Sequence, residues 1–348
     1  MHTTASPSPI PTALIGFGFS ARVFHLPFLQ ALPDFRLSAV STSRNDNLHL
    51  IDDSVSRYRD AQSLLAEDEA QLVIITTPND SHYALARQAL ELGKDVVIDK
   101  PFVCSSKEGQ TLIDLAQARG RLLSVFQNRR WDGDFLTLKS LIASGRLGQV
   151  RLLESRFDRF RPLPRERWRE QPGRGSGIWY DLGPHLLDQA LQLFGSPQAI
   201  TARLACLREQ CEVTDYFHVQ LHYPQLEVVL NSSPYCASPN LRFHIEGSGG
   251  SYRKQGLDPQ EDRLLAGVRP DRDEWAKETP EQWGQFSDAQ GSEVVETLCG
   301  GYQHYYRGIA DALLRGGQNP VPAEQALETI RLIELAQQSN EEGRRIRL

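Results

Sequence analysis

An acid, an imidazole and a second acid fall within one short stretch, Gly177-Ile178-Trp179-Tyr180-Asp181-Leu182-Gly183-Pro184-His185-Leu186-Leu187-Asp188. Asp181 and His185 are four positions apart and Asp188 lies three further on. On a helix that spacing puts all three near one face. An imidazole beside a carboxylate takes and gives protons near neutral pH, so the chemistry on offer is proton transfer. A helix beginning near Leu182 would carry Pro184 in its first turn, where a missing N–H costs nothing. The same residues also fit a helix end with a buried, hydrogen-bonded histidine, and the rest of the chain has to decide between the two.

A second group lies near the start, Gly16-Phe17-Gly18-Phe19-Ser20-Ala21, between a strand over Thr12–Gly16 and a helix over Ala21–Leu32. The first glycine permits a tight turn, the second lets backbone approach a pyrophosphate, and the small Ala21 lets helix pack on strand. The helix N-terminus then offers N–H groups to phosphates. A site for NAD usually has an acid at the end of the second strand, which would bond the ribose 2′-hydroxyl. Here that strand, Arg36–Thr42, ends in Ser41-Thr42-Ser43-Arg44. Asp34 precedes the strand, and Asp46 would have to turn back. Ser43 and Arg44 therefore suit a 2′-phosphate, which makes NADP the expected cofactor, with NAD as the alternative. A third candidate is Lys100 in Asp99-Lys100-Pro101-Phe102, directly after a strand. The chain has six lysines against 32 arginines. A lysine at a strand C-terminal end in a nucleotide crevice can donate to a substrate oxygen and a cofactor ribose together.

These groups need elements to carry them. Strands are expected at Leu72–Thr76, Asp95–Ile98 and Leu122–Phe126, with helices at Asp60–Ala66, His82–Leu92 and from the capping box Ser105-x-x-Glu108 to Ala118. Strand–helix alternation means an α/β domain, a Rossmann-type doubly wound parallel sheet with ligands at the strand C-terminal ends. After a linking helix over Gly133–Ser144 the period changes. Strands over Val150–Phe160, Ala199–Leu207, Tyr216–Tyr223, Leu226–Ser232 and Leu241–Glu246 follow with few helices between, so a C-terminal α+β domain with a large, mostly antiparallel sheet is expected. One sheet face should pack on the helix carrying Asp181, and an open apolar face would suit a dimer contact. Arg253–Gly291 reads as a long polar excursion, Tyr302–Arg315 and Glu324–Ser339 as helices, Tyr302, Tyr305 and Tyr306 as packing residues, and Arg344–Arg347 as a solvated end. The domain expectation is a flexible segment 1–11, a dinucleotide-binding domain 12–127 and a substrate-binding and dimerisation domain 128–348.

Composition narrows the class. The 348 residues carry 40 % hydrophobic and 24 % charged side chains and a net charge of −6. That suits a two-domain globular protein and argues against a nucleic-acid surface. Five cysteines without a CxxC pair suggest neither a disulfide framework nor a zinc site, so no metal is expected and the thiols suit the cytoplasm. The start has no signal-peptide core, and no apolar run reaches the ~20 residues of a membrane span.

The segments GFGFSA, TTPNDSHYALARQALELGKDVVIDKPF, QNRRWD and YDLGPHLLD, in that order, resemble the Gfo/Idh/MocA oxidoreductases from Thr12 to the C-terminus. Asp99-Lys100-Pro101 stands where the family has Glu-Lys-Pro, and Ala21 where it has a third glycine. GFGFSARVFH, STSR, NRRWDGDFLTLK, RFRPLPRERWRE and GLDPQEDRLLAG are similar to the NADP-dependent scyllo-inositol dehydrogenase-like group. The resemblance implies reversible hydride transfer between a nicotinamide and a secondary alcohol of a cyclic polyol or sugar, in a homodimer or homotetramer. It implies Lys100, Asp181 and His185 as catalytic. It implies Gly16, Gly18, Phe19, Ser20, Ala21, Ser43, Arg44, Thr77, Pro78, Asn79, His82, Asp99, Lys100 and Asn128 at the cofactor, and Arg129, Asp158 and Trp168 at the substrate. Two other outcomes stay open: glycosidase-type chemistry through transient oxidation with a retained cofactor, and a non-enzymatic cofactor-binding sensor.

Overall fold

The computed structural model describes residues 8–44 and 46–348 and forms two compact units. Of the segment 1–11, residues 1–7 lie outside the described residues, and Ile10 and Pro11 already open the first strand.

The first unit holds a six-stranded sheet made of β1 (Ile10–Ile15), β2 (Phe35–Ser41), β3 (Ser56–Tyr58), β4 (Leu72–Ile75), β5 (Asp95–Asp99) and β6 (Leu123–Phe126). Its order is β3-β2-β1-β4-β5-β6, with every neighbouring pair parallel. Every residue of β4 and β5 is buried. β4 is accordingly an unbroken apolar run, and β5 is apolar between its two terminal aspartates: in a parallel sheet, helices cover both faces. The connecting helices are α1 (Leu26–Ala31), α2 (Ala61–Glu67), α3 (His82–Glu91) and α4 (Ser106–Arg119). Asp60 caps α2 by accepting from Ser63 N, and Ser105 caps α4 by accepting from Glu108 N. The order reverses between β2-β1 and β4, so the crevice outside the strand C-terminal ends is the expected ligand position.

Two elements differ from the sequence expectation. The helix after the glycine turn is one wide π-type turn, Ala21–His25, followed by α1. Pro27 has no N–H to continue the regular ladder, so the turn before it widens. The edge strand β3 is three residues long and polar, too short to show a period.

The first unit runs to Gln127 and also takes in Glu261–Trp275 and Tyr302–Leu327, segments that the 128–348 boundary counted with the second domain. They hold most of α7 (Gln260–Leu265), all of α8 (Gln303–Arg315) and the start of α9 (Ala323–Glu342). The reason is aromatic packing. Tyr302, Tyr305 and Tyr306 are fully buried. The Tyr306 ring stacks on Phe28 at 5.9 Å, and the Tyr305 hydroxyl donates to Ser124 Oγ at 2.9 Å.

The second unit holds α5 (Gly133–Ala143), α6 (Ile178–Phe194) and a nine-stranded sheet. Its strands are β7 (Val150–Arg156), β8 (Ala199–Ala205), β9 (Tyr216–His222), β10 (Glu227–Ser232), β11 (Leu241–Gly247), β12 (Gly250–Gln255), β13 (Gly284–Asp288), β14 (Gly291–Val295) and β15 (Ile346–Arg347), in the order β14-β13-β12-β11-β7-β10-β9-β8-β15. Only the β7–β10 pair is parallel. Trp179, Leu186 and Leu187 of α6 are buried, and the Trp179 ring meets Phe217 of β9 edge-on at 4.9 Å.

Three expectations change here. The excursion over Arg253–Gly291 contains β13 and the end of β12, short strands flanked by glycine. The tail is not a free end, because Ile346 is buried and pairs with Ile200. The sheet residues that alternate with buried Phe217, Val219 and Leu221 are Tyr216, His218, Gln220 and His222, a polar set rather than an apolar one.

Candidate active site

In the first unit the strand ends gather the residues expected at a cofactor. Gly16 has φ +89, and a Cβ there would lie 3.0 Å from Thr77 Cγ2 and 3.1 Å from Thr76 Oγ1. Only glycine fits both the conformation and the space. A Cβ at Gly18 would meet nothing within 4 Å, so its backbone faces open space that a diphosphate could enter. This is the geometry a dinucleotide needs, and the residues present fit one. The Phe19 side chain is exposed, and Ala21 is fully buried.

Asp99, at the end of β5, is the hub. Ser20 Oγ donates to its Oδ2, Lys100 N donates to its Oδ1 at 2.8 Å, and His25 Nε2 stands 3.8 Å from its Oδ2. On the far side of the imidazole, His25 Nδ1 and the Tyr306 hydroxyl are 2.5 Å apart. Burial opposes ionisation of Asp99, but His25, Lys100 and Ser20 outweigh it and hold the carboxyl well below the usual range. Burial, aided by Tyr305 and Asp99, pushes the Tyr306 phenol well up, so it stays protonated. His25 lies in the GFGFSARVFH segment, yet the sequence reading gave it no role. Nothing local marks it, since its partners are far away in the chain.

The loop after β4 is tied to the turn after β5. His82 faces Thr77 O with one ring nitrogen and Pro101 O with the other, both at 2.9 Å. Its burial drives the imidazole pKa down against the pull of Asp99 and these carbonyls. Ser81 Oγ donates to Pro78 O at 2.6 Å, and Asn79 is buried. At the end of β2, Ser43 and Arg44 are exposed, and Arg44 N donates to Thr42 Oγ1 at 3.2 Å. The Arg44 guanidinium has no ion pair among the described residues. Asp46 accepts from Asn47 Nδ2 at 2.7 Å.

The second unit carries Asp181 and His185 on α6. The helix starts at Ile178, four residues before the expected Leu182, so Pro184 sits inside it rather than in its first turn. The start is set from outside the helix. Gly177 has φ +86, Ile178 N donates to Thr214 O at 2.6 Å, and Gly177 N donates to Arg169 O at 2.8 Å. A Cβ on Gly177 would lie 2.9 Å from Thr214 O. Asp181 therefore falls in the first helical turn, where the dipole favours a carboxylate. His185, one turn on, is buried at 5 % exposure. Asp188 is bound elsewhere: Arg130 Nε donates to its Oδ2 at 2.8 Å and Nη2 to its Oδ1 at 2.6 Å, a bidentate pair buried on both sides. The three-residue face thus divides into a half-buried acid with an imidazole and a structural acid.

The expected substrate contacts separate in the same way. Arg129 is buried, with its guanidinium 4.8 Å from the Phe157 ring centroid and Nη1 donating to Asp132 Oδ2 at 3.4 Å. Asn128 beside it is also buried. Asp158 accepts from Ser233 N and from Arg156 Nε, both at 2.8 Å, so each of its oxygens already holds a protein donor. Trp168 is 36 % exposed, and the Arg169 guanidinium lies over its ring at 4.9 Å. Arg169 Nε is also 3.6 Å from Asp181 Oδ1.

Residues 10–127 match the family model described as the NAD-binding Rossmann fold of an oxidoreductase family, and residues 139–348 match that family's C-terminal alpha/beta domain. The chain is 47 % identical over 334 residues to the uncharacterized oxidoreductase YdgJ of Escherichia coli, covering 95 % of this chain and 96 % of that one. It is 38 % identical over 343 residues to the scyllo-inositol 2-dehydrogenase (NADP(+)) IolW of Bacillus subtilis, covering 97 % and 96 %. The structure of the oxidoreductase yvaA from Bacillus subtilis superposes with a TM-score of 0.95 at 37 % identity, over 99 % of both chains. A nucleotide-binding Rossmann sheet, a mixed and mostly antiparallel second sheet and whole-length relatives together make this chain an oxidoreductase of the Gfo/Idh/MocA family.

Proposed function

We propose that this protein is an NADP-linked dehydrogenase that moves hydride between nicotinamide and a secondary alcohol of a cyclic polyol, inositols first and sugars second. The observation that carries the reading is α6, which presents an acid and an imidazole one turn apart in a chain whose other half is a nucleotide-binding fold. The likeness to IolW supports the polyol, and 27 % identity over 203 residues to a D-glucoside 3-dehydrogenase of Escherichia coli supports sugars as the second class.

When bound, the nicotinamide supplies a carbon that accepts or returns a hydride. The chain supplies the rest. His185 takes the proton of the reacting hydroxyl and returns it in the reverse direction. Asp181 favours the cationic imidazole. Lys100 stabilises the oxygen as negative charge grows on it. Gly16, Gly18 and Ser20 would cradle the diphosphate. Thr77 to Asn79 and His82 would border the nicotinamide half. Arg129 and Trp168 would face substrate hydroxyls. Asp158 enters as a weaker candidate, since both of its oxygens are taken.

Ser43 and Arg44 would hold a 2′-phosphate. A guanidinium bonds a phosphate bidentately, and a charge-assisted bond is worth roughly 1.5–3 kcal/mol, about one to two decades in affinity. The test is kcat/KM for NADP and NAD over a panel of inositols and aldoses, in wild type and Arg44→Ala. Preference for NADP that collapses in Arg44→Ala supports the reading. Preference for NAD, or activity only on acyclic 2-hydroxy acids, overturns it. The assembly we propose is a homodimer or homotetramer through the open face of the nine-stranded sheet, checked by light scattering at micromolar concentration.

A further inference from the structure

The second unit contains a cavity of about 470 Å³ of empty space, open to solvent, with Asp181 on its wall. Five arginines line it: Arg159, Arg161, Arg167, Arg169 and Arg208. Only three carboxylates face them, Glu170, Asp181 and Asp215, and their partners are already fixed. Arg208 Nε donates to Asp215 Oδ2 at 3.0 Å, and its Nη1 lies 3.0 Å from Glu170 Oε2. Arg167 Nε donates to Glu170 Oε1 at 2.7 Å, and Arg169 stands 3.6 Å from Asp181. Asp215 also accepts from the backbone N–H groups of Leu207 and Arg208.

Arg161 stands apart from these pairs. Arg159 stacks its guanidinium 4.3 Å from the Phe157 ring centroid. Arg161 makes no ion pair among the described residues, and its neighbours Arg165 and Arg167 repel it. Burial and those two like charges push its pKa down, against the pull of Glu170 and Asp181. A half-buried cation kept beside like charges is costly unless something anionic completes it. The neighbouring Ser232 and Ser233 add polar groups to the same wall.

We propose that this cavity receives an anionic substituent of the substrate, a carboxylate or a phosphate, so that the preferred substrate is an acidic polyol rather than a neutral one. The inference rests on the polyol dehydrogenase reading, because it takes Asp181 as the group that marks where the reacting end lies. The geometry is suited to it: guanidinium groups bond planar carboxylates and phosphates in pairs, and the cavity wall is shared with the helix that carries the proton-transfer residues.

The experiment has a binding arm and a turnover arm. Calorimetry on the purified protein compares a neutral cyclic polyol, a polyol monophosphate and a uronate, at low and at high salt. The anionic ligands are expected to bind at least tenfold more tightly than the neutral one at low salt, and the advantage should shrink as salt rises. Whichever of phosphate and carboxylate shows the larger advantage identifies the substituent. Arg161→Gln should lower affinity for the anionic ligand by about tenfold and Arg161→Lys by less, since one charge-assisted contact is worth about that much. In turnover, the anionic-to-neutral ratio of kcat/KM should fall toward one in Arg161→Gln. Equal affinity for neutral and anionic ligands, or a ratio indifferent to Arg161, overturns the anionic subsite while leaving the dehydrogenase reading in place. Tight anion binding with no turnover of any polyol overturns the dehydrogenase reading and leaves the anionic subsite standing.

Discussion

Two strongly charged regions of this chain are built on opposite principles. Around Asp99 in the first unit, donors and cations converge on one carboxylate. Ser20, the Lys100 backbone and His25 surround one carboxylate, and Tyr306 closes the far side of the imidazole. In the cavity beside Asp181 in the second unit, arginines outnumber acids and Arg161 makes no ion pair among the described residues. A charge-balanced cluster fixes a shape, whereas an unbalanced one waits for an opposite charge from outside. Polar networks that are fully satisfied rigidify a fold, and partly satisfied ones are costly unless function requires them.

The largest expected effect tests the chemistry of α6. His185→Ala should lower kcat by ~10²–10⁴, the usual loss for a proton-transfer group, and Asp181→Asn should fall in the same range. Steady-state rates with unchanged cofactor affinity would support both roles, and wild-type turnover in His185→Ala would remove it from the mechanism. Next comes stability in the cavity. Arg208→Gln strips Asp215 of its cation and Glu170 of one of its two, and should cost about 3 kcal/mol, measured by urea unfolding, because broken buried pairs leave an uncompensated charge.

Asp99 and the neighbouring His82 should show themselves in acid. His82 has its folded pKa depressed by burial below the ordinary imidazole value of about 6.5. Its stability contribution is therefore complete above about pH 6.5 and is lost as pH falls through the folded value. Asp99 is depressed from 3.8, so its contribution is complete above about pH 4 and lost only in stronger acid. Melting temperature should decline from pH 7 to pH 5, and His82→Gln should flatten that slope. A His82→Gln profile parallel to wild type would mean that this imidazole titrates the same way folded and unfolded. The smallest effect sharpens the contrast most. Arg161→Gln, in the same cavity as Arg208, should change unfolding free energy by no more than about 0.5 kcal/mol, since it breaks no ion pair. A loss comparable to that of Arg208→Gln would show that Arg161 is structural.

Whatever is local or periodic could be read from the residues alone. Alternating apolar strands and capped helices announced the parallel sheet, because the burial of β4 and β5 on both faces leaves a mark in the residues themselves. The glycine turn at Gly16 and the four-residue interval from Asp181 to His185 are equally local. Pairings between residues distant in the chain emerged only on folding. Thr214 O and Gly177 moved the start of α6 to Ile178, which put Pro184 inside the helix. Arg130 claimed Asp188, and the Ser233 backbone and Arg156 claimed Asp158. Tyr306 reached back to His25 and brought α8 into the first unit. No periodicity encodes these pairings. They arise when the backbone brings a donor to an acceptor, and burial then makes leaving either one unpaired too costly.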